Sequence, residues 1–544
     1  MPNPNAPFHP IIYVRGYAMS APEIEETTVD PFCGFNLGST VYRAVPDKER
    51  PPRKFIFQSP VVRLASDFKY ENVYQDGCDI LDEEWETDAT GQPTGNRLSS
   101  RSIIIFRYYD QASQALGTGT TPPIEDFARQ LGDLVLRVRD LVCKNEANSI
   151  GEEDFRCYLV AHSMGGLICR AFLQNPANDP HQASRYVDKL FTYATPHNGI
   201  DVAGLNVPQW LGLKDMNNFN RTRMSQYLGL TTLGNKPPDD RVDWLPESRF
   251  SPDRVFCMVG SNRMDYEVAM GLSRTFSGHG SDGLVKIDNA TLRGLQTNGQ
   301  PGQPCAKAFA FRSHSGPFGI VNSEEAYQNL TRFLFGDVRV DIWLDIADIR
   351  LPLEVQKQQD AGKQINALYQ FEILASPRGK LWYLTRRTSV EDSVACMSHA
   401  DWLAAPKENG SLYLSTVFLA NRAKVNPNRP TLAYSLTLNV CVPDYEVEKK
   451  LWINEHYEGS YLFRNQITVE LIRPAAAGDK WKITYAWQGT SFNLETTEVK
   501  AKALGAGRME VIIPLPTDNK TIPRVEGQLR FVVTAWNREA MMAA

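Results

Sequence analysis

The chain has 544 residues, 42% of them hydrophobic and 22% charged, with a formal net charge of −5 at neutral pH. That length exceeds what one core usually holds, so two domains are expected. A slightly acidic balance with no basic arm or tail excludes nucleic acid as an expected partner. The opening "MPNPNAPFHP" has no charged stretch leading into an apolar one, and no apolar run approaches the roughly 20 residues of a membrane helix. A cytoplasmic protein is therefore expected, with leaderless secretion as the other route.

"PIIYVRG" (10–16) is almost continuously apolar, as a parallel strand covered on both faces would be. Residues 17–100 follow as a long insertion with patchy order, and "RSIIIFRYYD" (101–110) is the next buried strand. Ile124, Phe127, Leu131, Leu134, Val138 and Leu141 then recur at three- and four-residue spacing. That predicts an amphipathic helix over 124–142, entered through "TPP". "CYLVAHS" (157–163) predicts a strand and Met164 begins a helix; "LFTYATP" (190–196), "RVFCMVGS" (254–261) and "AKAFAFRSH" (306–314) predict further strands. A last helix is expected from about 323 to 335. Between these elements lies a second long insertion, 198–250, of the length at which loops serve as lids or pocket walls. Nine cysteines are scattered without a C-x-x-C pair, which suits free thiols better than a disulfide frame or a zinc site.

After "FLFGD" the pattern changes. "VRVDIWLDI" (338–346), "YQFEI" (369–373), "TLAYSLTLNV" (431–440), "QITVELI" (466–472), "KITYAW" (482–487) and "LRFVVTAW" (529–536) alternate apolar with polar. "SPRG" (376–379) and "AAAGDK" (475–480) read as turns. Half-buried antiparallel strands at this density predict a β-sandwich. The expected division is 1–337, an α/β domain with a mostly parallel sheet and helices on both faces, and 338–544, an antiparallel β-sandwich domain of unknown role.

The chemistry centres on "VAHSMGG" (160–166). A strand running into a tight turn that opens a helix can lift Ser163 as a nucleophile, provided small residues flank it. Those positions hold Ala161 and Gly165, so the pattern is A-x-S-x-G, one methyl away from G-x-S-x-G. The plain alternative is a buried serine at a helix start. Together with "YATPHNG" (193–199) and "SDGLV" (281–285), in that order, the motif resembles the lipase and esterase branch of the α/β-hydrolase superfamily. It looks most like the bacterial triacylglycerol lipases and the deacylases of inositol-linked lipids, over roughly residues 10–335.

The resemblance implies a serine esterase or lipase acting by an acyl-enzyme route, with no metal or organic cofactor. It points to Asp282 in "SDGLV" as the acid and to His314 in "FRSHSG" as the base, completing a triad with Ser163. Asp265 in "NRMDY" is the rival acid. Of the other histidines, His162 is expected to point away from the nucleophile, His181 to be solvated, His197 to pack, and His279 would need an unusual chain order. The same logic gives the oxyanion two backbone N–H groups, at Met164 and at Tyr17 in "VRGYAMS". An apolar, lipidic ester is favoured because Trp210, Leu211, Leu213 and Phe219, with Val207, Met216, Tyr227 and Leu228, crowd the second insertion. They would line an acyl pocket, form the core of a helical cap, or do both. An acyltransferase with the same triad and a non-catalytic binding scaffold are the competing functions. Peripheral contact with a lipid surface is compatible with this reading, and oligomeric state has no signature in the sequence.

Overall fold

The computed structural model describes residues 7–16, 40–43, 53–56, 59–73, 90, 97–106, 108, 122–202, 205–206, 216–263, 280–315, 319–405, 410–448, 455–472, 481–488, 496–505, 507–516 and 521–537. The chain divides into two units, Met1–Lys307 with Arg312–Leu330, and Ala308–Phe311 with Thr331–Ala544.

The parallel sheet has seven strands: β1 Ile11–Val14, β2 Glu71–Asn72, β3 Ser102–Phe106, β4 Cys157–His162, β5 Val187–Tyr193, β6 Val255–Gly260 and β7 Ala306–Ala310, all in the first unit but for Ala308–Ala310 of the last. Their order across the sheet is β2-β3-β1-β4-β5-β6-β7. Parallel ladders join β1 to β3 and β4, β4 to β5, β5 to β6, and β2 to β3. Every residue of β1, β4 and β6 is buried. The near-continuous apolar runs of the sequence follow from that, since a strand covered on both faces has no solvent side to make polar.

Helices α1 Pro60–Phe68, α2 Ile124–Cys143, α3 Met164–Gln174, α4 Arg221–Tyr227 and α5 Glu324–Phe335 join these strands. α2 buries the predicted stripe of Ile124, Phe127, Leu131, Leu134, Val138 and Leu141, and it places Glu125 and Asp126 in the first turn, where the helix dipole favours them. Within the first insertion stand a hairpin of Thr40–Arg43 with Arg53–Ile56, helix α1 and edge strand β2. α1 starts where Ser59 accepts a hydrogen bond from Val61 N–H, 3.1 Å away. In the second insertion, Trp244–Pro246 pairs with Arg293–Leu295, which in turn pairs with Pro301–Pro304.

The second unit holds β8 Val338–Arg350, β9 Ile365–Pro377, β10 Ser411–Leu419, β11 Thr431–Val447, β12 Glu455–Ile472, β13 Lys482–Trp487, β14 Arg508–Pro514 and β15 Arg524–Ala535. One antiparallel sheet runs β10-β8-β15-β14 and ends on Lys502–Gly505. The other starts on Thr385–Arg387 and runs β9-β11-β12-β13, ending on Thr497–Val499. Val338, Val340, Ile342 and Leu344 of β8 share one apolar core with Phe371 and Ile373 of β9 and with Tyr434, Leu436 and Leu438 of β11. Alternation in the sequence is the consequence, because each strand gives one face to this core and the other to the outside. The architecture is thus a parallel α/β sheet followed by an antiparallel β-sandwich.

Candidate active site

Ser163 sits between β4 and α3 with φ 51° and ψ −127°, a conformation that side-chain-bearing residues seldom adopt. Close packing of main chain around it explains the small residues nearby. A Cβ on Gly165 would stand 2.3 Å from the carbonyl oxygen of Val14 and 2.4 Å from that of Arg15. One on Gly166 would meet Thr195 Oγ1 at 2.2 Å, and one on Gly16 would meet the Ser163 Cβ at 2.7 Å. Ala161, by contrast, is an ordinary buried strand residue paired with Val14 and Thr192, so its methyl group is accommodated. The Ser163 N–H donates to the Tyr193 carbonyl at 2.9 Å, which ties the turn to β5.

His314 lies just past β7, and its backbone N–H donates to the Asp282 carbonyl at 3.0 Å. Its Nε2 is 2.9 Å from Ser163 Oγ, and its Nδ1 is 2.9 Å from Asp282 Oδ2. All three side chains are buried. A carboxylate can only accept, so Nδ1 carries the proton and Nε2 accepts from the serine hydroxyl. The other carboxylate oxygen of Asp282 accepts from the N–H groups of Leu284 at 3.0 Å and Val285 at 2.7 Å. "SDGLV" therefore folds into a loop that holds its own aspartate, with Gly283 at φ 102° making the bend. Gly260, at the end of β6, lets that loop come close: a Cβ there would be 2.8 Å from the Asp282 Cβ.

Met164 is the first residue of α3, so its N–H is one of the helix's four without an intrahelical partner, at the positive end of the dipole. A parallel sheet of this order, with a serine at a strained strand-to-helix turn at the end of its central strand, decides the fold. The first unit has an α/β-hydrolase fold.

No family model and no curated protein matches the sequence. Among solved structures, the chain is similar to the lipase BlEst2 of Bacillus licheniformis, at 16% identity and a TM-score of 0.30, over 62% of this chain and 94% of that one. It is also similar to phospholipase PlaB from Legionella pneumophila, at 13% identity and a TM-score of 0.30, over 82% and 89%. The putative cell surface hydrolase of Lactobacillus plantarum WCFS1 matches at 12% and a TM-score of 0.21, over 60% and 91%. At such scores the assignment of the fold rests on the strand order and the turn at Ser163.

Several sequence expectations meet the α/β-hydrolase unit differently. Tyr17, Val207, Trp210, Leu211, Leu213, Asp265 and His279 lie outside the described residues, as does the side chain of Met216. Phe219, expected at the pocket wall, is 4% exposed and joins Met224, Tyr227 and Leu228 in the apolar core. The reason is local: a short 3-10 turn ending at Phe219 leads directly into α4, which buries Met224 and Tyr227. His181 is exposed. His197 is buried, with Nε2 3.1 Å from Thr192 Oγ1, and Arg170 ties its carbonyl to those of Val242 and Trp244.

His162 departs from its expected place. Its ring is not turned away from the site: Nε2–H donates to the main-chain oxygen of His314 at 2.8 Å, and the two imidazole centroids are 5.0 Å apart. Burial, reinforced by the neighbouring His314, holds the His162 pKa well below its usual value, so the ring is neutral. Only its adjacency to Ser163 hints at this in the sequence. Among the described residues, one set of three could take a metal ion, Asp444, Glu446 and His456, and it belongs to the second unit. No helix among the described residues is long and apolar enough to cross a membrane.

Proposed function

We propose that the protein is a serine hydrolase that cleaves carboxylic esters through an acyl-enzyme intermediate. The observation that carries this reading is the unbroken pair of 2.9 Å hydrogen bonds from Ser163 through the His314 imidazole to the Asp282 carboxylate. Ser163 Oγ attacks the ester carbonyl carbon while His314 Nε2 takes the hydroxyl proton. The carbonyl π electrons move onto oxygen, and the resulting oxyanion is held by the Met164 N–H together with the Tyr17 N–H. Asp282 stabilises the imidazolium and keeps its tautomer. Collapse of the adduct breaks the ester C–O bond, and His314 passes its proton to the departing alcohol. Water then enters on the same base, attacks the acyl-serine and releases the acid.

An apolar, lipidic acyl group is the preferred substrate in this reading, supported by Val207, Trp210, Leu211 and Leu213 in the second insertion. The test is hydrolysis of acetyl and octanoyl esters by the full chain and by Ser163→Ala, with product analysis in the presence of added alcohol. Acid release that depends on Ser163 is expected with both esters, faster for octanoyl. Transfer to the alcohol in place of acid would make the protein an acyltransferase, and turnover undiminished in Ser163→Ala would remove the proposal.

A further inference from the structure

Two loops of the second unit lie against each other. One, residues 378–384, links β9 to the short strand Thr385–Arg387; the other, residues 420–430, links β10 to β11. A Cβ on Gly379 would stand 3.3 Å from the Val425 side chain, and the Arg378 N–H donates to the Ala433 carbonyl at 3.1 Å, beside the second loop. The first loop has a firm base: Leu384 is buried and its N–H donates to Ala375 O at 2.7 Å, while Lys380 N–H closes a turn on Pro377 O at 3.0 Å. Above that base Leu381 is 96% exposed, and Val425 across the contact is 50% exposed. Trp382, packed against the core of the second unit, and Tyr383 are half-buried.

Both loops are basic. Residues 378–384 and 420–430 contain Arg378, Lys380, Arg422, Lys424 and Arg429 and no acidic residue, in a chain whose net charge is −5. Arg378 pairs with Glu470 of β12, and Lys424 donates to the Arg429 carbonyl at 3.0 Å. A projecting leucine on a basic loop, with half-buried Trp382 and Tyr383 next to it in the chain, has the chemistry of an interfacial anchor. Apolar tips enter the acyl boundary, aromatics sit at headgroup level, and Lys and Arg meet the phosphates. A soluble polyanion would use the cations but would leave Leu381 in water.

We propose that this tip docks the protein on a bilayer containing anionic phospholipid, with Leu381 and Val425 entering the boundary between headgroups and acyl chains. Docking would bring the protein to a lipidic ester, and to that extent it rests on the hydrolase reading, but the binding itself needs no chemistry. It is therefore measured by co-sedimentation of the full chain, wild type and Ser163→Ala, with vesicles of phosphatidylcholine alone or with about one-third phosphatidylglycerol. Both proteins should bind the anionic vesicles and ignore the neutral ones. Leu381→Ser should weaken binding about tenfold, the loss of one leucine's burial. Lys380→Gln with Lys424→Gln should weaken it about thirtyfold, at roughly a factor of five for each charge removed. Neither variant should alter hydrolysis of a soluble short-chain ester.

Absence of wild-type binding to anionic vesicles would overturn the proposal. So would binding that Leu381→Ser leaves intact, or binding that dextran sulfate reproduces and only the charge variants abolish. Vesicle binding without any ester hydrolysis would count against the hydrolase reading alone, and hydrolysis without vesicle binding against docking alone.

Discussion

A backbone at φ 51° and ψ −127° costs Ser163 about 1–3 kcal/mol, and the surrounding main chain holds it there. Gly165→Ala should show how tight that grip is, since the new methyl group would strike two carbonyl oxygens at 2.3 and 2.4 Å. A loss of about 3 kcal/mol or more, read as a large fall in melting temperature or in soluble yield, is expected. Ser163→Ala and His314→Ala should each lower kcat about 10⁴-fold or more while leaving the melt intact, and the double variant should be no worse than either. Asp282→Asn should cost far more than Asp265→Asn, because the Asp282 carboxylate is the one bonded to His314.

For His162, the shape-preserving His162→Phe leaves the His314 carbonyl without its donor. It should lower kcat about tenfold with KM unchanged, and His162→Gln, which restores a donor at similar reach, should recover most of that loss. An undiminished kcat in His162→Phe would mean that the ring only fills space. The serine was legible because flanking glycines advertise main-chain crowding. His162 was not, since its partner is a backbone carbonyl 152 residues away, an atom that every residue type carries alike.

Elements with strong periodicity were legible where packing alone shapes them. The α2 stripe and the runs of β1, β4 and β6 match the burial that they show. Short pieces inside the insertions were harder to read. β2 spans two residues and α1 nine, too few for a period to establish itself against noise. The strand β10, "SLYLSTVFL", was also missed, because Leu414 to Leu419 are all buried and no clean alternation survives. Phe219 shows the limit for side chains: an apolar residue looks the same whether it lines a pocket or fills a cap. Phe219→Ala should destabilise the protein by about 3–5 kcal/mol and leave acyl-length preference unchanged, as loss of a core aromatic does. Trp210→Ala should instead flatten the dependence of kcat/KM on acyl length between acetyl and octanoyl esters, since each buried methylene is worth about 0.8 kcal/mol. Equal losses on both esters would deny Trp210 a place at the pocket.

At the scale of the whole molecule, the change from continuous to alternating apolar patterns signalled a second fold class, although the division of the chain begins at Thr331 and splits α5. Phe333 in the last turns of that helix packs on Phe418 and Trp536, with centroids 5.3 and 5.7 Å away, and its carbonyl accepts from the Trp536 indole at 2.6 Å. A 331–544 fragment should therefore give a strand-dominated circular dichroism spectrum and a cooperative melt. A 338–544 fragment, stripped of Phe333, should melt about 5–10 °C lower. Identical melts would show that the helix end contributes nothing to the sandwich.

Stability should also fall as pH drops below about 6.5. Burial holds His9 down at about 4 and keeps His162 and His197 well below their usual value, so all three fold neutral and protonate on unfolding. The unfolded chain then binds more protons through that window, and His9 alone should remove about 3 kcal/mol by pH 4. Denaturant melts at pH 7 and pH 5 would check it, with a flat profile as the contrary result.

Everything claimed for the site depends on Ser163 being a reactive nucleophile, and covalent labelling tests that most directly. The full chain is treated with a fluorophosphonate and its peptides are mapped by mass spectrometry. The expected result is a single adduct on Ser163, formed quickly by the wild type and absent from both Ser163→Ala and His314→Ala. A wild-type protein that stays unlabelled, or an adduct on another serine, would contradict the account.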